Sequence, residues 1–154
     1  MESRGSKRLA LKGDFVAKRA LVVDSNPVAR SAIEILLQRR GWEVIGAVDG
    51  VETLRLASAW HFDLLITDPD PSKVPGLQLV RIVKGGMLTS DVRVILLLEE
   101  GQWVGEVAKL ADDVLFKNGQ IDKQLQRHLT HFFGEEQPEW TPGSFPHVNA
   151  AWGY

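Results

Sequence analysis

Residues 63–68 read Asp-Leu-Leu-Ile-Thr-Asp, which is a run of four apolar or β-branched residues between two aspartates. A short apolar run without polar alternation is typical of a strand that is buried on both faces of a sheet. The segment that follows, from Pro69 to Gly76, carries three prolines, which exclude regular structure there. We therefore predict a buried strand that ends at Asp68 and continues into an irregular loop.

The same signals predict four more strands and five helices. Short apolar runs place strands at Ala20–Val23, Val44–Ala47, Val92–Leu98 and Val114–Phe116. Apolar residues at helical spacing predict helices at 27–40, 51–60, 77–83, 103–110 and 121–132. Asn26 and Pro27 are a typical helix start. Five alternations of strand and helix predict an α/β fold, a doubly wound parallel sheet with helices on both faces.

Three charged residues follow directly after three of the predicted strands. They are Asp24, Asp68 and Lys117. Folds of this class place their chemistry at the carboxyl ends of parallel strands. We therefore expect these residues to share one site.

The composition sets outer limits on function. The chain has 154 residues, 44% of them hydrophobic, which suits one domain at residues 19–133. Residues 1–18 form a basic leader that we expect to be flexible, and residues 134–154 form a tail or linker rich in proline and aromatics. A net charge of -2 does not favour nucleic acid, and no apolar run is long enough to span a membrane. No cysteine is present, which excludes thiolate chemistry. We expect a cytoplasmic protein.

With these residues identified, the sequence resembles the receiver domains of two-component response regulators. The resemblance is carried by Leu21–Pro27, by Asp63–Asp68 with Gly76, and by Ala111–Lys117, and it covers about residues 19–133. It implies the CheY-like, flavodoxin-like (βα)5 fold with strand order 2-1-3-4-5. It also implies a module without an enzymatic activity of its own, whose partners are a histidine kinase or a downstream signalling protein.

The resemblance also implies roles for individual residues. Asp68 would accept a phosphoryl group, and Lys117 would pair with the phosphate. Asp24, together with the backbone carbonyl of Asp70, would hold Mg²⁺. A carboxylate and a phosphoryl group are both anionic, so their reaction requires such cations to screen the charge.

Several positions depart from the family pattern. Ser25 replaces a second acidic residue, Leu98 replaces the threonine or serine that binds the phosphoryl oxygen, and Glu99 replaces a small residue. Val114 stands at the aromatic switch position. Ser72 and Asn118 stand where prolines are common. Because both the hydroxyl and the aromatic ring are missing, we predict a pseudo-receiver that signals by protein contact. The alternative is a functional phosphoacceptor.

Other interpretations stay open at this point. Asp68 could cap its loop, Lys117 could form a structural ion pair with Asp68, and the Asp70 side chain could replace the missing metal ligand. Asp68-Pro69-Asp70 also resembles the Asp-x-Asp motif of haloacid-dehalogenase-type phosphatases, although there the motif follows the first strand.

Further expectations concern surfaces. Trp103 is predicted on the fourth helix, either in the core or as an anchor for a partner. The fourth helix, fifth strand and fifth helix form the usual partner or dimer face of the family, so a homodimer through this face is an option. The four histidines are predicted on the surface, because they lack a metal-ligand spacing. We expect the aromatic tail to dock on the domain or on a partner, or to be a linker.

Overall fold

A computed structural model describes residues 17–135, and these form a parallel sheet between two layers of helices. The strands are β1 (Arg19–Val23), β2 (Glu43–Ala47), β3 (Leu64–Thr67), β4 (Arg93–Leu98) and β5 (Asp113–Phe116). The helices are α1 (Pro27–Gln38), α2 (Gly50–Ala59), α3 (Gly76–Gly85), α4 (Val107–Leu110) and α5 (Ile121–Phe133). The strand order is β2-β1-β3-β4-β5, so the predicted fold is confirmed. The expectations for residues 1–16 and for the tail beyond residue 135 lie outside the described residues.

The sheet separates two hydrophobic clusters. Ala20 and Val22 of β1 face the cluster that includes α1 and α5, whereas Leu21 and Val23 face the cluster that includes α2, α3 and α4. All five residues of β1 are buried, because helices cover both faces of the sheet. Each fully buried aliphatic side chain contributes about 1.5–3 kcal/mol. This double-sided burial explains why the strands read as continuous apolar runs.

Side-chain caps begin the first two helices. The Oδ1 of Asn26 accepts hydrogen bonds from the N–H groups of Val28 and Ala29, at 2.9 and 3.4 Å. The Asp49 carboxylate accepts from the N–H of Glu52 at 2.8 Å. These bonds satisfy amides that have no partner inside the helix, so the loops after β1 and β2 turn directly into helices.

The prediction of the fourth helix was wrong in its length and in the position of Trp103. The helix consists of Val107–Leu110 only, and Trp103 lies in the loop before it. Gly101 and Gly105 have φ values of 81° and 59°, which are left-handed and interrupt a helix. Trp103 is 87% exposed, so it does not pack in the core.

Candidate functional site

Two aspartates lie side by side at the carboxyl edge of the sheet. Val23 at the end of β1 is in register with Thr67 at the end of β3, so the next residues, Asp24 and Asp68, are neighbours. The N–H of Asp68 donates to the carbonyl of Val23 at 3.0 Å, which extends the ladder to the site. Two of the three predicted site residues are therefore adjacent.

Lys117 reaches the same edge from the far side of the sheet. Its N–H donates to the carbonyl of Leu98 at 2.8 Å, which fixes the residue just beyond β5. Its Nζ lies 2.8 Å from Oδ2 of Asp24. β3 and β4 separate β1 from β5, so the lysine side chain crosses over two strands to make this contact. The ion-pair partner of Lys117 is thus Asp24, not Asp68 as the structural-pair interpretation proposed.

Asp24 is a buried carboxylate with unequal oxygens. The residue is 3% exposed, and its Oδ1 accepts a hydrogen bond from the N–H of Asn26 at 2.9 Å. Within residues 17–135, Oδ2 has no aligned hydrogen-bond donor, and its contact with the Lys117 ammonium is an ion pair. The Asp24 carbonyl accepts from Nη1 of Arg30 at 2.7 Å. A buried anionic oxygen needs a cation, and here the lysine supplies it.

Asp68 is half-buried and begins the loop that follows β3. Its Oδ1 accepts a hydrogen bond from the N–H of Asp70 at 2.9 Å, which is the turn predicted if Asp68 caps its loop. Among residues 17–135, no cation forms an ion pair with Asp68. The capping interaction uses one carboxylate oxygen and leaves the other available for chemistry.

The Asp70 side chain holds the loop after β3 in shape. Its Oδ1 accepts from the N–H of Gly76 at 3.0 Å. Gly76 packs directly on Pro69, and a Cβ at this position would collide with the Pro69 carbonyl oxygen. Only glycine fits there, which explains the Gly76 of the sequence motif. Because this bond engages the exposed Asp70 side chain, its candidate role as a metal ligand would disturb the loop.

An ion pair ties the same loop to the start of α2. The Lys73 ammonium lies 3.0 Å from Oδ2 of Asp49, and the Gly50 N–H donates to the carbonyl of Ser72 at 2.9 Å. The Glu52 N–H and, secondly, Lys73 hold the pKa of Asp49 below its usual value. Ser72 therefore takes part in this tether through its backbone.

The four replaced positions surround the site with side chains unsuited to phosphate binding. Leu98 is buried and belongs to the same apolar cluster as Val114. Glu99 is exposed, and its N–H donates to Oε1 of Gln102 at 3.0 Å. Ser25 is exposed beside Asp24. An aliphatic contact thus stands where the family has a hydroxyl and an aromatic ring.

Helix α5 clamps the free edge of β5, a feature that the sequence analysis missed. Gln124 accepts from the N–H of Phe116 at 2.9 Å and donates to its carbonyl at 3.0 Å. The His128 Nε2 lies 2.7 Å from the Val114 carbonyl, and its Nδ1 lies 3.2 Å from Oδ2 of Asp113. The prediction that His128 is a surface residue was wrong, because it is 4% exposed. A buried polar pair on the inner face of an apolar helix is the signal that could have indicated this clamp.

A second ionic cluster lies away from the site, at the start of β4. Asp112 accepts from the N–H of Val94 at 2.7 Å and contacts the side chains of Lys84, at 2.9 Å, and Arg93, at 3.5 Å. Burial raises the pKa of Asp112, but these partners together outweigh it and hold the pKa below its ordinary value. This cluster is structural, since it joins β4 to α3.

The oxygen donors fit a weakly held divalent cation. Asp24 Oδ2 is a buried anionic oxygen without a hydrogen bond, and the Asp68 carboxylate is its neighbour. Mg²⁺ is held by oxygen ligands and often by one or two carboxylates with waters. Ser25 supplies no charge, and Lys117 already neutralises Asp24. Within residues 17–135, no group of three or more His, Cys, Asp or Glu side chains could hold a metal ion.

This sheet order, with an acid pair and a lysine at its carboxyl edge, defines a receiver-type signalling module. The sequence profile described as "Response regulator receiver domain" matches residues 20–128. The chain therefore belongs to the response-regulator receiver family. Receiver domains are generally non-enzymatic signalling modules that interact with histidine kinases and downstream proteins.

Known relatives share this domain within longer proteins. The chain is 30% identical over 112 residues to the DNA-binding dual master transcriptional regulator RpaA of a Synechocystis species, which covers 71% of this chain and 46% of RpaA. It is 37% identical over 67 residues to the sensor kinase/phosphatase CqsS of Vibrio cholerae, covering 44% of this chain and 10% of CqsS. The chain thus spans less than half the length of these two relatives.

A solved structure agrees with the fold. The response regulator TrrA of Thermotoga maritima, crystallised with Mg²⁺ and BeF, is 26% identical and has a TM-score of 0.65. The match covers 75% of this chain and 99% of that one. In the described part of the present chain, no helix is long and apolar enough to cross a membrane.

Proposed function

We propose that this receiver domain transmits its signal by protein contact without needing an aspartyl phosphate. The observation that carries the proposal is the ion pair between Lys117 and Asp24, 2.8 Å apart. The cation that would pair with a phosphoryl group on Asp68 is already engaged, and its partner is a buried carboxylate. Freeing the lysine would leave the Asp24 charge uncompensated.

The apolar contact below the site supports the same proposal. Leu98 is 5% exposed and packs in one cluster with Val114. Leucine offers no hydroxyl to follow a phosphoryl oxygen, and valine offers no ring to turn inward. A phosphate on Asp68 would therefore have no mobile side chain through which to reach α4.

Charge at the mouth of the site argues in the same direction. A phosphoryl group on Asp68 would add negative charge close to Asp24 and Glu99. Anionic repulsion is the main barrier to this chemistry, and it is lowered by cations. Ser25 and Glu99 make the balance less favourable, since one replaces a metal ligand and the other adds a charge.

The alternative is a working phosphoacceptor. One Asp68 oxygen caps the loop while the other lacks an ionic partner among residues 17–135, and Asp24 Oδ2 offers a metal ligand. If Mg²⁺ binds, Asp24, Asp68 and the Asp70 carbonyl would hold it, and it would screen the charge. A histidine kinase would then be the phosphoryl donor.

Phosphate incorporation separates the two. We expect that the chain incubated with acetyl phosphate and Mg²⁺ will run as one band on a Phos-tag gel, as will the matched variant Asp68→Asn. A retarded band for the natural chain that is absent from Asp68→Asn would overturn the proposal in favour of the alternative. Intact mass spectrometry of the same samples checks for a phosphoryl group too labile for the gel.

A further inference from the structure

An open pocket of about 300 Å³ lies beside the site, between the loop after β3 and the segment before α4. Pro75 and Leu77 form one wall, and Trp103 and Val104 form the other. We call it the Trp103 pocket. Asp70 and Glu106 also line it, so its apolar walls carry carboxylates.

The indole of Trp103 is held in place although 87% of the residue is exposed. Its ring lies over Gly105, and a Cβ there would come within 2.6 Å of a ring carbon. Gly105 has a φ of 59°, so both its conformation and its lack of a side chain favour glycine. A large aromatic side chain fixed in solvent is a common anchor for a protein partner.

The charge around the Trp103 pocket is negative. Besides Asp70 and Glu106, Glu99 and Glu100 lie in the turn that leads to the lining residue Gln102. Of the lining carboxylates, Glu106 contacts Lys109 at 2.9 Å, but both side chains are more than half exposed, so solvent screens the pair. A neighbouring cation, Lys73, is engaged by Asp49. An occupant with positive charge would be complementary.

We infer that the Trp103 pocket binds a basic segment of a partner protein, with an arginine next to an aliphatic residue. The guanidinium would stack on the Trp103 ring and pair with Glu106, and the aliphatic side chain would lie against Leu77 and Pro75. Guanidinium groups stack well on indole faces while they bind carboxylates. This inference rests on the proposal that the domain signals through protein contact, and it names the chemistry of the contact.

A labelled peptide tests the inference on the full chain. The probe is fluorescein-Ser-Arg-Leu-Arg-Arg-Leu-Ser, and its control has glutamate in place of every arginine. We expect binding of the basic peptide by fluorescence anisotropy, about tenfold weaker with Trp103→Ala and nearly retained with Trp103→Phe. The matched control Met87→Ala removes a 98% exposed apolar residue elsewhere and should leave affinity unchanged.

Charge variants separate stacking from electrostatics. Glu106→Gln and Asp70→Asn should each weaken binding about threefold and reduce its dependence on salt. Failure of the basic peptide to bind, equal affinity for the acidic peptide, or equal affinity of Trp103→Ala and Met87→Ala would each overturn the inference.

The proposed function fails in a different way. If peptide affinity collapses in Asp68→Asn, or appears only after acetyl phosphate treatment, the signal depends on phosphorylation. The Trp103 effect could still be measured in that case, so the two failures can be told apart.

Discussion

The Lys117 ammonium lies 2.8 Å from Oδ2 of Asp24, and the two side chains are 15% and 3% exposed. The pair joins the ends of β5 and β1 across the sheet. It neutralises the most buried acid of the site, and it uses the cation that the family pattern assigns to phosphate. The stability of the domain and the chemistry of the site therefore depend on the same contact.

Removing the lysine should destabilise the domain. We expect Lys117→Met to lower the free energy of unfolding by about 3 kcal/mol, because Asp24 is left buried and charged. Urea unfolding followed by circular dichroism measures this. Adding Asp24→Asn to the variant should restore much of the loss, because the amide can still accept from the Asn26 N–H.

Lys109→Met is the matched control for that experiment. Lys109 pairs with Glu106 on the surface, where both side chains are exposed. Its loss should cost less than about 0.5 kcal/mol. Equal effects of Lys117→Met and Lys109→Met would contradict the structural role of the buried pair.

Opening the acid pair should also improve metal binding. Lys117→Met removes the cation that competes for Asp24 Oδ2, so we expect Mg²⁺ and Mn²⁺ to bind the variant more tightly and to recover part of its stability. Thermal unfolding with and without 10 mM metal, a concentration chosen to exceed weak affinities of about 1 mM, is the measurement. Unchanged metal affinity in the variant would exclude competition at this oxygen.

The Asp112 cluster predicts a pH dependence of stability. The folded-state pKa of Asp112 is lowered, so its contribution is fully present above the unfolded pKa of about 3.9 and is lost as pH falls through the folded value. Asp112→Asn should therefore be less stable than the natural chain at pH 7, and the difference should shrink toward pH 2–3. Urea midpoints across this range test it.

Two carboxylates frame that pH experiment. Asp91→Asn changes a side chain that is 75% exposed, and it should leave the pH profile nearly unchanged. Burial raises the pKa of Glu34, despite Arg30 nearby, so Glu34→Gln should remove a penalty that grows as pH rises through the unfolded pKa. A profile identical in the Asp112 and Asp91 variants would contradict the account.

The Gln124 clamp predicts a local loss of protection at β5. Gln124→Ala leaves both the N–H and the carbonyl of Phe116 without their partner, which should cost about 1–3 kcal/mol. Hydrogen exchange at the Phe116 amide should accelerate more than exchange in β1. Lys123→Ala, on the exposed side of the same helix, controls for helix propensity.

Restoring the family residues should restore a response to phosphate. We expect the triple variant Ser25→Asp, Leu98→Thr and Glu99→Ala to bind beryllofluoride with Mg²⁺ more tightly than the natural chain. Intrinsic fluorescence titration measures this. A variant that folds but binds no better would show that the Lys117–Asp24 pair alone blocks the site.

Much of the fold was predictable because its determinants are local. The apolar runs of β1 and β3 and the Asn26 cap each act within a few residues, so they can be recognised in the sequence. The meeting of Asp24 and Asp68 followed from a general rule, since parallel strands bring their carboxyl ends to one edge.

The errors arose where long-range contacts decide. Trp103 and Val107 share a helical spacing, but the backbone at Gly105 breaks the helix, and spacing alone does not reveal a positive φ. His128 looked like a surface residue because its partners, Asp113 and the Val114 carbonyl, lie on another element. The choice of Lys117 between two aspartates likewise depends on geometry across four strands.

The most direct measurement is an NMR titration of the full chain with beryllofluoride and Mg²⁺, followed by amide shifts. The account predicts that shifts, if any, stay within the loops that carry Asp24, Asp68 and Lys117. Large shifts that spread to α4 at Val107–Leu110 and along β5 would contradict it, because they would mean that a phosphate-like group on Asp68 is transmitted without a hydroxyl or an aromatic switch.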